Sequence, residues 1–280
     1  MLKQLCFHAT VTVLTFLIVT FIAAPTMAAQ SFELRREQET VFFKGEINRE
    51  SANALIEQIR SGASLIVITS EGGSAKDALD VAKEMASNKV ALQVQDYCFS
   101  SCANYLFVAA LQKKLMPDAV LGFHGGVSGA AKNKNELNHI KNTSFQSELN
   151  DLEREEQSFY SSLGFDSTLI HISALLTIAT VPAIFKVELD DDKHVYTFSN
   201  RAELAVFLSK TIDSMTKYRI SVARPSPRVY FPNQHMLTKY GVKGITDYPY
   251  PVNQQAMDML AKELEVELIG DYVSDQKLPD

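Results

Sequence analysis

The chain has 280 residues, 46% of them hydrophobic and 21% charged, with 27 Lys and Arg against 33 Asp and Glu for a formal net charge of -6. This is the balance of a globular protein with a sizeable core. Its acidic sign argues against nucleic acid and anionic membrane surfaces as partners, because both demand clustered Lys and Arg. Neither a His-Glu-x-x-His pair nor a phosphate-loop lysine occurs, so no metal and no nucleotide cofactor is expected.

The first residues read as an export signal. Lys3 precedes an apolar run, 11–24, that is short for a membrane span, and Thr26-Met27-Ala28 supplies a small-residue cleavage site. Residues 1–28 are therefore expected to be a signal peptide and 29–280 the mature chain of a periplasmic protein, the alternative being an uncleaved N-terminal membrane anchor. Cleavage removes Cys6 with Lys3 and leaves 26 basic and 33 acidic groups, a net charge of -7. Cys98 and Cys102 then remain as a pair four residues apart, which in an oxidising compartment reads as a small disulfide pinning one turn.

From Phe32 onward, strand and helix patterns alternate. "TVFFKGEI" alternates like a strand, Asn48 can cap the helix that follows, and Ala52, Leu55, Ile56 and Ile59 recur at helical spacing. "LIVIT" (65–69) is a continuous aliphatic run, as expected of a strand covered on both faces. "SEGGS" follows, and then a helix with Ala78, Leu79, Ala82 and Met85 on one side. "ALQVQ" (91–95) is a further strand, "DYCFSSCA" a junction, "NYLFVAA" a buried helix, and "AVLGFHGG" a strand ending in His124. This alternation predicts an α/β fold with a mostly parallel sheet and functional loops at its strand ends.

A serine at a strand-to-helix junction meets unpaired N–H groups and the positive end of a helix, which suits a nucleophile or an anion. It equally suits a helix N-cap. Beyond the junction, a helical pattern runs over 136–163 with Phe145, Leu149, Leu152, Phe159 and Leu163 at three-and-four spacing. "LIHISALLTIATVPAIF" (169–185) reads as a buried helix and turn rather than a membrane span. "VELDDDKHVYTF" (187–198) reads as a hairpin turning at Asp190-Asp191-Asp192. A helix is expected over 202–215, and an amphipathic helix over 253–268 followed by an acidic tail.

The blocks "VFFKGEI", "LIVITSEGGSAKDALDVAKEM", "CFSSCANYLFVAA", "MPDAVLGFHGG" and "HMLTKYGV" resemble, in order and spacing, those of Clp-protease-like members of the ClpP/crotonase superfamily. The likeness is to an exported branch whose serine lies in a Cys-x-Ser-x-Cys block. It covers roughly residues 32–180 and resumes near Phe231. It implies a single domain built as a spiral of β-β-α units over 29–280, with an inserted element at 183–230 that covers or restricts the site.

The resemblance also implies roles. Gly72 and Gly73 stand where the family offers backbone N–H groups to an oxyanion, although Glu71 replaces the usual proline there. Ser100 is the nucleophile and Ser101 its reserve; Cys102 could serve only as a free thiol. His124 is the general base, whereas His139, His171, His194 and His235 lack that context. The third member of the triad has no match, because Val229 and Tyr230 occupy its place; Asn233 and Asp118 are the candidates to orient the ring. The family's counterpart of helix 136–163 packs subunits into rings, so a homo-oligomer is implied, against a helix packed on its own domain.

Two readings follow. One is an exported serine hydrolase, most simply a peptidase acting on a peptide or protein. The other is a catalytically silent binding protein of the cell envelope. Coenzyme A chemistry ranks third, since that cofactor is not expected outside the cytoplasm.

Overall fold

In the computed structural model the described residues are 32–127, 143–177, 184–189, 192–199, 201–211, 218–223 and 228–271, all within one compact unit, Ser31–Asp280. The expected export signal, the Asp190-Asp191 turn, His139 and residues 136–142 lie outside them.

The first strand pattern turns out to be half of a hairpin. β1 (Phe32–Glu37) pairs antiparallel with β2 (Thr40–Gly45), and Gln38 makes the tight turn between them with φ 54°. Asn48 caps α1 (Arg49–Arg60) as its side chain implies: its Oδ1 accepts the N–H groups of Glu50 and Ser51, and Ser51 Oγ accepts the Asn48 N–H in return. Ala52, Leu55 and Ile59 bury the inner face of α1. β3 (Leu65–Ser70) leads through the glycine turn to α2 (Ala75–Asn88), capped by Ser74, whose inward face carries Ala78, Leu79, Val81, Ala82 and Met85.

β2, β3 and β4 (Ala91–Phe99) are parallel neighbours, and β5 (Lys113–Leu115) and β11 (Ile245–Asp247) extend the same sheet. β4 is longer than "ALQVQ" suggests and forks the sheet. Its first half pairs with β5 through Leu92–Val94, and its second half pairs with β6 (Val120–Gly122) through Tyr97–Phe99. Phe123 then bridges antiparallel to Tyr230 in β10 (Arg228–Tyr230), which runs parallel to β12 (Glu267–Ile269). The fold is thus α/β with a mostly parallel sheet, as the strand and helix alternation predicts.

The helix after β4 also differs from expectation. Cys102–Phe107 is wound as a π-helix and is buried throughout. Such wide turns recur at functional sites. α3 (Thr143–Leu163) packs its C-terminal half on its own domain through Phe159 and Tyr160, with Lys83 of α2 paired to Glu155. α4 (Thr168–Leu176) follows. β7 (Ile184–Leu189) and β8 (Asp192–Phe198) form an antiparallel hairpin, and β9 (Tyr218–Ala223) adds to β7 to complete a separate three-stranded sheet. α5 (Arg201–Thr211) packs on it, with Phe207 against Tyr196 and Phe198. α6 (Gln234–Lys239) and α7 (Gln254–Glu263) are the last described helices, the latter ending earlier than expected because Val266 turns into β12. Among the described residues, no helix is long and apolar enough to cross a membrane.

Candidate active site at the end of strand β4

A register shift assembles the site. β3 and β4 are paired at Ile68 with Val94, and the next pair is Ser70 with Cys98, so β4 carries two extra residues in this interval. The bulge draws the end of β4 level with the glycine turn that follows β3. Gly72 then lies directly against the serine pair: a Cβ built on it would be 2.6 Å from the Phe99 carbonyl oxygen, 2.8 Å from Ser100 Cβ and 2.9 Å from the Ser101 nitrogen. With φ 90° besides, only glycine fits there.

Ser100 is half-buried and has φ 56°. Its N–H donates to the Gly122 carbonyl at 2.9 Å, and its own carbonyl accepts the Asn104 N–H at 2.8 Å, which ties β4, β6 and the π-helix to one residue. Left-handed backbone is costly for a residue with a Cβ. The other non-glycine examples among the described residues, Gln38, Lys89, Asp118 and Glu265, all sit in turns or just past helix ends. Ser100 instead adopts it at a helix N-terminus. Capping does not account for the serine pair: Ser101 occupies the cap position without a side-chain capping bond, and its Oγ is buried with no hydrogen-bond partner among the described residues. Cys98 and Cys102 are joined in a disulfide with a Cα–Cα distance of 5.3 Å, and both are fully buried.

The two glycines of the turn differ. The Gly72 N–H donates to Ser70 Oγ at 3.0 Å, and Ser70 Oγ donates in turn to the Gly45 carbonyl at 2.7 Å. Gly72 therefore contributes space beside the serine, not an N–H. Gly73, at φ 145°, sits against the Ile47 carbonyl, where the bonds from Ile47 N–H to the Gly72 oxygen and from Ser74 N–H to the Ile47 oxygen fix the turn. Glu71 is exposed. Its charge and that of Asp96 add to burial, the larger cause, in raising the Tyr97 phenol above its ordinary pKa.

His124 follows β6, two residues beyond the Gly122 carbonyl that holds Ser100. Its Nδ1 is 3.0 Å from the Gly125 carbonyl oxygen. A carbonyl only accepts, so Nδ1 donates to it, and in the neutral ring that leaves the lone pair on Nε2, the form a general base needs. The Asn104 side-chain amide donates to the His124 carbonyl at 3.1 Å.

The expected ring orienters are not used that way. Asn233 Oδ1 caps α6 by accepting from the Met236 N–H at 2.9 Å, and Asp118 lies exposed in the turn before β6. Val229, at the third-member position, packs on Gly122, and the Tyr230 hydroxyl donates to Asp271. Sequence reading missed Glu156 of α3. It is fully buried, and its Oε1 accepts from the Tyr105 hydroxyl at 2.6 Å and from the Val127 N–H at 3.3 Å. No short motif could have found it, because its partners lie 51 and 29 residues away.

No group of three metal-ligating side chains is gathered among the described residues. A groove of about 350 Å³ runs over β1–β4 between Arg35, Phe42, Val67, Thr69 and Asp96, away from Ser100 and His124.

Comparison with protein-family models gives no match, and neither does comparison with curated proteins. Among solved structures, similarity is found to a serine-to-alanine mutant of the membrane-bound stomatin-specific protease 1510-N (15% identity, TM-score 0.26, covering 29% of this chain and 44% of that one). It is also found to an enoyl-CoA hydratase from Mycobacterium avium subsp. paratuberculosis K-10 (7% identity, TM-score 0.28, covering 33% of this chain and 47% of that one). The chain spans about half the length of these structures.

Proposed function

We propose that the chain is an exported serine hydrolase of the ClpP/crotonase superfamily, acting on a peptide or protein, with Ser100 as nucleophile and His124 as general base. One observation carries the reading: Ser100 is held in a left-handed backbone conformation at a strand-to-helix junction, between two bonded cysteines and against Gly72. Strain of this kind persists only where its surroundings over-determine it, and it clusters at active sites.

The chemistry follows from these parts. Ser100 Oγ attacks the substrate carbonyl carbon while His124 Nε2 takes the hydroxyl proton. The oxyanion is received by the Gly73 N–H and by the Ser101 N–H at the first turn of the helix, where backbone donors have no intrahelical acceptor. Collapse expels the leaving amine, which receives the proton from His124. Water then attacks the acyl-enzyme by the same route in reverse. Ser101 supplies its backbone and not its hydroxyl, since its Oγ is enclosed.

Export, periplasmic residence with cleavage after residue 28, and assembly of identical subunits belong to the same proposal, on the strength of the N-terminal pattern and the resemblance. A second reading has its own support: Val229 at the third-member position favours a silent binding protein. Incubation with a degenerate peptide library, read by mass spectrometry beside Ser100→Ala, separates the two. Cleavage that vanishes in the variant supports the hydrolase, whereas retained peptides bound equally by both proteins support the binder.

A further inference from the structure

Glu156 is a carboxylate with no part in the chemistry above, placed at 0% exposure in the core of the domain. A buried charge is costly unless it is fully hydrogen-bonded, so its partners indicate what it is there to hold. Among the described residues, two of them come from different elements. The Tyr105 hydroxyl belongs to the π-helix that begins just after Ser100, and the Val127 N–H lies at the end of the short loop that begins at His124.

The loop itself is built around this carboxylate. A Cβ on Gly126 would lie 2.8 Å from Glu156 Oε1 and 3.7 Å from Asn104 Nδ2, so residue 126 leaves room for both groups to reach the backbone. Asn104 Nδ2 holds the His124 carbonyl, and the Asn104 carbonyl accepts from the Tyr160 hydroxyl, one turn beyond Glu156 on α3. Burial first, and the Glu156 charge after it, keep the Tyr105 phenol protonated as a donor. One turn of α3 thus grips both the nucleophile helix and the histidine loop.

We infer that Glu156 is a positioning residue that locks the His124–Val127 segment to the nucleophile helix through Val127 and Tyr105. The inference rests on the assignment of Ser100 and His124 above.

The test uses the full-length protein and an alkyl fluorophosphonate, with two readouts: the rate of Ser100 labelling, and the imidazole NMR signals of His124 in ¹⁵N-histidine protein, assigned with His124→Ala. Glu156→Gln is expected to slow labelling roughly 10- to 100-fold, the usual scale for a misplaced catalytic group, and to shift the His124 ring signals. Ile59→Ala, in the core beneath α1, is expected to lower Tm while leaving both readouts unchanged. A folded Glu156→Gln protein with wild-type labelling and wild-type His124 signals would overturn the inference. Should that variant not fold, Tyr105→Phe decides: it keeps the ring and removes one donor, so unchanged signals and rate would count against the inference. Wild-type protein that never labels overturns the hydrolase reading instead, and the NMR comparison still tests the grip of Glu156 on the histidine loop.

Discussion

Gly72 and Ser100 touch so closely that a methyl group on the glycine would stand 2.8 Å from the serine Cβ and 2.6 Å from the preceding carbonyl oxygen. Gly72→Ala must therefore displace backbone and adopt φ 90° with a side chain. A loss of about 2–3 kcal/mol is expected, from overpacking and strain together. Urea unfolding measures it, and a loss below about 0.5 kcal/mol would contradict the close contact.

Ser100 carries the opposite sign. Left-handed backbone costs a non-glycine residue about 1–2 kcal/mol, and the extra freedom of glycine in the unfolded chain gives back about 0.5–1 kcal/mol of that. Ser100→Gly should consequently gain about 0.5–1 kcal/mol while abolishing reaction with an active-site phosphonate. Ser100→Ala should abolish reaction without that gain. A Ser100→Gly protein clearly less stable than wild type would show that the conformation is not strained.

The Cys98–Cys102 bond closes only a five-residue loop, for which the chain-entropy estimate is about 2 kcal/mol. Both sulfurs are fully buried. Native protein isolated without reductant should therefore take up no alkylating agent at these positions, and should do so only after unfolding with reductant. The double variant Cys98→Ala, Cys102→Ala should lose about 2 kcal/mol and label at Ser100 more slowly, because nothing covalent then clamps the turn. Two free thiols in the native protein would remove this role.

Lys113 gives a pH signature. It is 2% exposed, its ammonium donates to the Ala110 and Lys243 carbonyls, and burial lowers its pKa from 10.5 to about 8. Between those values the unfolded chain holds a proton that the folded chain has released, so stability rises with pH across that window, by at most about 3 kcal/mol. Buried tyrosines oppose it from about pH 10 upward. Tyr105, Tyr160, Tyr230 and Tyr248 are all raised, chiefly by burial, so they ionise first in the unfolded chain and lower stability there. The difference between wild type and Lys113→Met, followed by denaturant midpoints from pH 7 to 10, should shift in favour of wild type as pH rises. A flat difference would contradict a depressed lysine.

What the sequence disclosed is what neighbours in the chain decide. Asn48 with Ser51 announces a helix start, Leu65–Ser70 a covered strand, and Ala78, Leu79, Ala82 and Met85 a helix face, because each signal lies within one turn or one strand. The serine, the glycine pair and the histidine were also visible as short motifs. What stayed hidden depends on long-range contact. The two extra residues of β4 become apparent only against β3, and the engagement of the Gly72 N–H by Ser70 requires the turn itself. The π-helical winding of Cys102–Phe107 leaves no periodic trace in so short a run. Glu156 is one of four consecutive charged residues, 153–156, and only Tyr105 and Val127, brought to it by the fold, single it out.

The most direct test of an activated Ser100 is intact-mass and peptide-mapping analysis after treatment with an alkyl fluorophosphonate, run beside Ser100→Ala, Ser101→Ala and His124→Ala. Activation means that the serine oxygen forms a bond to phosphorus, fluoride leaves, and the proton passes to His124. A single adduct on Ser100 is expected, lost in Ser100→Ala and His124→Ala and kept in Ser101→Ala. Folded wild-type protein that takes up no adduct, or takes it up at Ser101, would contradict the account.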